Sequence, residues 1–269
     1  MTAAQLRDVR MAQLQRQDWA VAAGGVWSSA ETLWPFLTQS TNIVRAAEAV
    51  RWDELLSERA TVLDLACGSG WLAALLSAQP QVACVLAWDS SPHLLTEVLP
   101  SMVPLAGGEP AKIERFCGDF LPLLLDDGAV DAVVMSSAFH HAAEPDALLR
   151  EIRRVLAPGG PLVLLNETPW HPLGLLAFAT RHYLSTVLGL AGLPRPRAVG
   201  ALTQDGALYD PRLGDRAYTM RGWRRIAHRN GWSLEPRPTG LPSYPATFRK
   251  RAFLEPELHH LVLRPIAGA

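Results

Sequence analysis

Val62-Leu63-Asp64-Leu65-Ala66-Cys67-Gly68-Ser69-Gly70-Trp71-Leu72-Ala73 is the stretch on which the reading of this chain turns. A short apolar run carrying one acid breaks into two glycines with one residue between, then continues as Leu72-Ala73-Ala74-Leu75-Leu76. This reads as a buried strand, a tight turn without bulky side chains and a helix start. Such a turn sets backbone N–H groups and a helix N-terminus against a ligand.

Working outward, the pattern repeats. The helix stops at Pro80, and a second apolar run, Val82 to Trp88, ends at Asp89. Strand, crossover helix and strand at this spacing make a parallel βαβ unit. Ser90-Ser91-Pro92 opens another helix, Pro100 to Pro110 reads as a Pro/Gly-rich link, and Ile113 to Asp119 holds a third strand. Val130 to Met135 is a fourth strand, the helix Asp146 to Leu156 follows, and Pro161 to Asn166 is a fifth. Solid apolar strands alternating with helices predict a doubly wound α/β fold.

The flanks are less regular. Asn42 to Glu58 has helical apolar spacing, and Trp19, Trp27, Trp34 and Phe36 either pack on the core or cap an apolar pocket. Between Thr168 and Tyr218 regularity lapses over a length too great for a plain connection, which reads as a lid or substrate-pocket insertion. Arg221 to Asn230 is an amphipathic helix; Trp232 to Glu235 and His259 to Leu263 read as two last strands joined by a loop from Pro236 to Glu257. The expected organisation is one domain over 1–269: an N-terminal helical cap (1–58), a core (60–167), an insertion (168–217) and a C-terminal helix with strands (218–269).

Composition narrows the classes. At 269 residues, with 49% hydrophobic and 19% charged, the chain can bury one good core. The most apolar stretch, Leu173 to Leu193, is interrupted by Gly174, Arg181-His182 and Gly189, so no membrane span is expected. A net charge of −1 gives no reason to expect nucleic acid as a partner. Cys67, Cys84 and Cys117 lack metal-ligand spacing and fit reduced thiols; with no signal peptide visible in Met1 to Asp18, a cytoplasmic protein without a metal is expected.

Gly68-Ser69-Gly70-Trp71-Leu72-Ala73, followed by Asp89, fits the general dinucleotide pattern, which alone admits a nicotinamide cofactor among others. Asp64 argues otherwise: a strand acid four residues ahead of Gly68 is costly unless it meets a loop amide or a cationic ligand group, and a pyrophosphate would not suit it. Gly118-Asp119-Phe120 adds a carboxylate and an aromatic ring fit for an adenine, and strand four runs into a loop with a histidine pair.

Taken together, Asp64 to Gly70, Asp89-Ser90-Ser91-Pro92-His93-Leu94, Gly118-Asp119-Phe120 and the module Asp131 to Gly160 resemble the motifs of class I S-adenosylmethionine-dependent methyltransferases. The resemblance covers roughly residues 60–167 and resumes from Tyr218 to Trp232. It implies a mostly parallel seven-stranded sheet with an antiparallel last strand. It also implies S-adenosylmethionine as cofactor, leaving as S-adenosylhomocysteine. Ala66, Gly68 and Gly70 would face the methionine portion, and Asp64 would anchor either the glycine loop or the ammonium. Asp89 with Ser90 would serve the ribose, Leu94 would pack near the adenine, Asp119 and Phe120 would hold it, and Ser136 would line the methionine end.

Methyl transfer from a sulfonium needs alignment and exclusion of water more than activation; an acidic phenol or enol needs little base assistance, whereas an alcohol needs a base near neutral pKa, for which His is the usual side chain. His140 and His141 follow strand four; the resemblance favours His140 as base, against a role bracing the loop. Glu167 and His171 are further candidates, while His228, His259 and His260 read as surface or strand residues. Trp170, Phe178, His182, Tyr183 and Tyr209 either pack in the core or wall a pocket for a small apolar or aromatic substrate. O-methylation is favoured over C- or N-methylation. A cofactor-binding protein, or an enzyme using the sulfonium without transfer, is the alternative, and a homodimer is left open.

Overall fold

The computed structural model describes residues 18–171, 201–203, 207–210, 215–245 and 257–266, with Leu173, Leu176, Thr180 and Val187 besides. Phe178, His182 and Tyr183, and the N-terminal residues before Asp18, lie outside the described residues.

A seven-stranded sheet in the order β3-β2-β1-β4-β5-β10-β9 organises the chain. Its strands are β1 (Ala60–Leu65), β2 (Val82–Asp89), β3 (Ile113–Cys117), β4 (Ala132–Ser136), β5 (Leu162–Glu167), β9 (Trp232–Pro242) and β10 (Glu257–Pro265). The first five are parallel, and β10 runs antiparallel to both of its neighbours. Three short strands, β6 (Ala201–Leu202), β7 (Leu208–Asp210) and β8 (Asp215–Ala217), form a separate antiparallel sheet within the segment read as irregular.

The helices that flank the sheets include α1 (Trp19–Ala23), α2 (Ala30–Pro35), α3 (Ile43–Glu48), α4 (Trp71–Ser77), α5 (Leu99–Leu105), α6 (Pro145–Val155) and α7 (Met220–Arg229). The period-two alternation of the strands builds a core on each face. Val62, Val163 and Leu165 pack with Leu72 and Met102 of α4 and α5, whereas Leu63, Leu162 and Leu164 pack with Leu149, Ile152 and Trp223 of α6 and α7.

Three departures from the sequence reading have local causes. The link expected from Pro100 is helical as far as Leu105, because Pro100 occupies the first turn of α5, where its missing donor is not needed. The helix expected across Asn42 to Glu58 ends at Glu48 and gives way to one tight turn at Trp52–Glu54. Strand β9 continues through Pro236 and Pro238 to Pro242; it pairs only with β10, and an edge strand tolerates proline on its open side.

His260, read as unremarkable, is buried. Its Nδ1 accepts the Asn166 N–H at 3.3 Å and its Nε2 donates to the Ala46 carbonyl at 3.0 Å, tying β5 and β10 to α3. Burial holds its pKa below the ordinary value, which suits this neutral tautomer.

Candidate active site

The parallel strands end on one edge, and the strand order reverses about β1, which opens a crevice there as in other open α/β sheets. A cavity of about 860 Å³ occupies it, with Ala66, Gly68, Asp89, Asp119, Phe120 and Ser136 among its walls. That volume falls in the range of small-molecule pockets.

The floor is the glycine turn. Ala66 (φ 61°), Gly68 (φ 55°) and Gly70 (φ 80°) all take left-handed backbone, so the loop doubles back over the end of β1. At Gly68 a side-chain carbon would meet nothing within 4 Å, whereas at Gly70 it would run into Leu99. Gly68 thus keeps its backbone bare toward the cavity, and Gly70 serves helix packing; Gly70 does not line the cavity.

Two carboxylates lie beneath this turn. Asp64 is buried, its Oδ2 has no hydrogen-bond partner among the described residues, and the Ala73 N–H reaches its carboxylate. Burial, then the nearby charge of Asp89, pushes its pKa up to about 8. Asp89 accepts from the Gly68 N–H at 2.9 Å and the Ser91 N–H at 2.8 Å, and the Trp19 indole also reaches it. Burial raises its pKa as well, partly offset by those bonds. Ser69 Oγ is a second orphan, buried without a partner among the described residues.

The roof comes from the N-terminal cap, where Trp19, Ala23 and Trp27 line the cavity. Asp18 fixes that cap. Its Oδ1 accepts from Ala20 N–H at 3.0 Å and Ser91 Oγ at 2.8 Å, and its Oδ2 from His93 N–H at 2.8 Å. It is at once the N-cap of α1 and the tie between the cap and the loop after Asp89. Asp18→Ala is expected to destabilise the protein by about 2 kcal/mol, from a lost cap and two lost charge-assisted bonds. Denaturant unfolding measures it, with a red shift of tryptophan emission as Trp19 frees.

At the far wall, β4 ends at Ser136, whose Oγ accepts from Asn166 Nδ2 at 3.0 Å, and the chain turns through Ser137 (φ 49°) into Phe139–His141. His141 lines the cavity; His140 does not, and sits behind the wall with its Nδ1 3.0 Å from Glu167 Oε2. Glu167 is buried and its Oε1 has no partner among the described residues. His141 Nδ1 lies 2.8 Å from Asp215 Oδ1 of β8. Arg216 donates to the Ala142 and Ala143 carbonyls at 2.9 and 2.8 Å, clamping the small sheet onto the histidine loop.

Burial disfavours the His140 cation, but the Glu167 charge and hydrogen bond outweigh it and its pKa is raised. For His141, burial and then repulsion from His140 prevail over Asp215, and its pKa is lowered.

Of the residues expected from the sequence, Ala66, Gly68, Asp89, Ser90, Asp119, Phe120, Ser136 and His141 come together on the walls of one cavity. Leu94 is buried behind the loop, and His171 is exposed, its Nδ1 accepting from the Leu173 N–H. Asp18 and Asp215 went unnoticed. Asp18 carried a visible signal, an aspartate directly before an apolar helical run; Asp215 carried none.

A methyltransferase-domain family model matches residues 63–164. The chain is 37% identical over 131 residues to a demethylmenaquinone methyltransferase of Thermus thermophilus, covering 49% of this chain and 57% of that protein. It is 30% identical over 183 residues to a ubiquinone/menaquinone biosynthesis C-methyltransferase of Syntrophotalea carbinolica, covering 63% of this chain and 70% of that one. A SAM-dependent methyltransferase structure from Aquifex aeolicus shares the fold, with a TM-score of 0.51 at 18% identity over 82% of this chain and 89% of that one.

Proposed function

This chain belongs to the class I S-adenosylmethionine-dependent methyltransferases, and we propose that it moves a methyl group onto a small, largely apolar aromatic acceptor of the phenol or hydroquinone class. The observation that carries the reading is the junction, around one cavity, of the glycine turn with aromatic walls and His141, backed by the buried Asp64 beneath the turn and by Asp215 beside the histidine.

The residues present fit the cofactor. Asp64 Oδ2, orphaned among the described residues beneath a turn whose Gly68 leaves open space, matches an ammonium; Asp89, on the cavity wall at the end of β2, matches a ribose; Asp119 and Phe120 match an adenine. When bound, the cofactor supplies a methyl group already activated by sulfonium charge. The chain's own part is to hold the acceptor in line, keep water out beneath Trp19 and Trp27, and take the acceptor's proton.

For that proton we assign His141, on the cavity wall and 2.8 Å from Asp215, rather than the expected His140, which Glu167 holds in place behind it. Phenolate formation serves transfer to oxygen, which the residues favoured, and equally to a ring carbon beside that oxygen, which the names of the quinone relatives support. The acceptor and the attacked atom are therefore read from the product. Three free cysteines fit a reducing compartment such as the cytoplasm.

The test is incubation with methyl-labelled S-adenosylmethionine and a panel of hydroquinones and phenols. One S-adenosylhomocysteine should form per labelled product. Product without S-adenosylhomocysteine would instead support the non-transferring alternative. His141→Gln is expected to lower kcat roughly 10²–10⁴-fold, the span of general-base contributions, with S-adenosylhomocysteine affinity unchanged.

A further inference from the structure

Behind the wall that His141 presents to the cavity, four ionisable groups from three separate elements converge: His140 and His141 from the loop after β4, Glu167 from the end of β5 and Asp215 from β8. One donor atom from each of His140, His141 and Asp215 lies within 4.8 Å of the other two. The imidazole rings are 4.3 Å apart, centroid to centroid.

Asp215 Oδ1 is the telling atom. It is buried and pairs with His141 Nδ1 at 2.8 Å, with no other donor on it among the described residues. A nitrogen and an oxygen 2.8 Å apart also have the spacing of neighbouring ligands on one ion. Glu167 completes the pattern: by holding His140 Nδ1–H at 3.0 Å it turns the lone pair to Nε2, as carboxylates behind metal-binding histidines do.

We propose that His140, His141 and Asp215 bind a divalent transition-metal cation of the zinc class, with Glu167 orienting His140. Two imidazoles and one carboxylate suit borderline cations, and three protein ligands leave a coordination position for water or an acceptor oxygen. The cysteines lack metal spacing, and beside the histidine pair the third ligand is supplied by β8, far along the chain. Cation and proton compete for the same lone pairs, so His141 acts as base in the metal-free form. This goes beyond the methyl-transfer reading and is measured without an acceptor.

The full chain, stripped with a chelator and dialysed, is titrated with Zn²⁺ against a chromophoric chelator, and with Co²⁺ followed by its visible absorption. One equivalent should bind, with the intense visible bands of a low-coordinate Co²⁺ site. Glu167→Gln should weaken it roughly 10–100-fold. His141→Ala and Asp215→Ala should weaken it more, and His228→Ala, on the exposed face of α7, should bind as the unaltered protein does. Cooperative thermal unfolding of each variant checks that it is folded. Uptake by the unaltered protein no tighter than by folded His141→Ala and Asp215→Ala overturns the site. Stripped protein that transfers methyl but takes up no cation sinks the metal site and leaves the methyl-transfer reading standing; one-equivalent binding lost in the variants, without methyl transfer, does the reverse.

Discussion

Gly70→Ala is expected to destabilise the protein by about 3 kcal/mol, the joint size of a strained left-handed alanine and an overpacked core contact. Gly70 has φ 80°, and its new side-chain carbon would lie 2.7 Å from Leu99 Cδ1 and still closer to Cγ. Leu99 cannot swing aside cheaply, since it is 3% exposed and heads α5. Gly68→Ala is the informative contrast. Its φ of 55° imposes a similar backbone strain, about 1–2 kcal/mol, but the added methyl meets no atom within 4 Å. That methyl stands instead on the cavity wall. Denaturant unfolding should therefore separate the two by about the overpacking cost. Calorimetric titration with S-adenosylhomocysteine should show Gly68→Ala folded but weakened more than about tenfold, a change of about 1.4 kcal/mol. Equal stability losses, or a Gly68→Ala protein that binds normally, would refute the division of labour between the glycines.

That division was partly legible in the sequence, because a buried ligand at a sheet edge needs particular residue types at the ends of successive strands. Asp64, Gly68, Asp89 and Asp119 stand at such ends, and strand length with parallel register fixes their meeting place. What was illegible depends on rotation or on partners far along the chain. His140 and His141 sit in one tight turn, where each residue swings the side chain by about a third of a circle, so the two rings, though 4.3 Å apart, reach different surroundings. Which one meets the cavity is decided by Glu167, waiting at the end of β5 for His140. Asp215 lies in a three-residue strand too short to show any period, and the Arg216 clamp helps to place it beside His141. Proline misled in both directions: Pro100 starts a helix and Pro236 sits on an open sheet edge, two positions where the missing donor has no consequence.

Asp64→Asn is expected to raise the stability of the ligand-free protein while weakening its ligand. A carboxyl with a pKa near 3.9 in the unfolded chain and about 8 in the folded one takes up a proton on folding throughout that window. The folded state then binds more protons than the unfolded state, so stability falls as pH rises from about 4 to about 8, and the loss is complete above it. At pH 7 three of those pH units have been crossed, an upper bound of about 4 kcal/mol. An asparagine keeps the Ala73 N–H contact, carries no charge at any pH and removes this slope. Melting curves from pH 5.5 to 8.5 should therefore diverge with rising pH, the variant being the more stable. With S-adenosylhomocysteine the order should narrow or reverse, because a ligand ammonium favours the ionised Asp64 and releases its proton below pH 8. Affinity of the unaltered protein should thus climb with pH toward 8, while the variant's should be lower and lack the Asp64-linked rise. Parallel melting curves for the two ligand-free proteins would mean that Asp64 is ionised from the start and that some other group neutralises it.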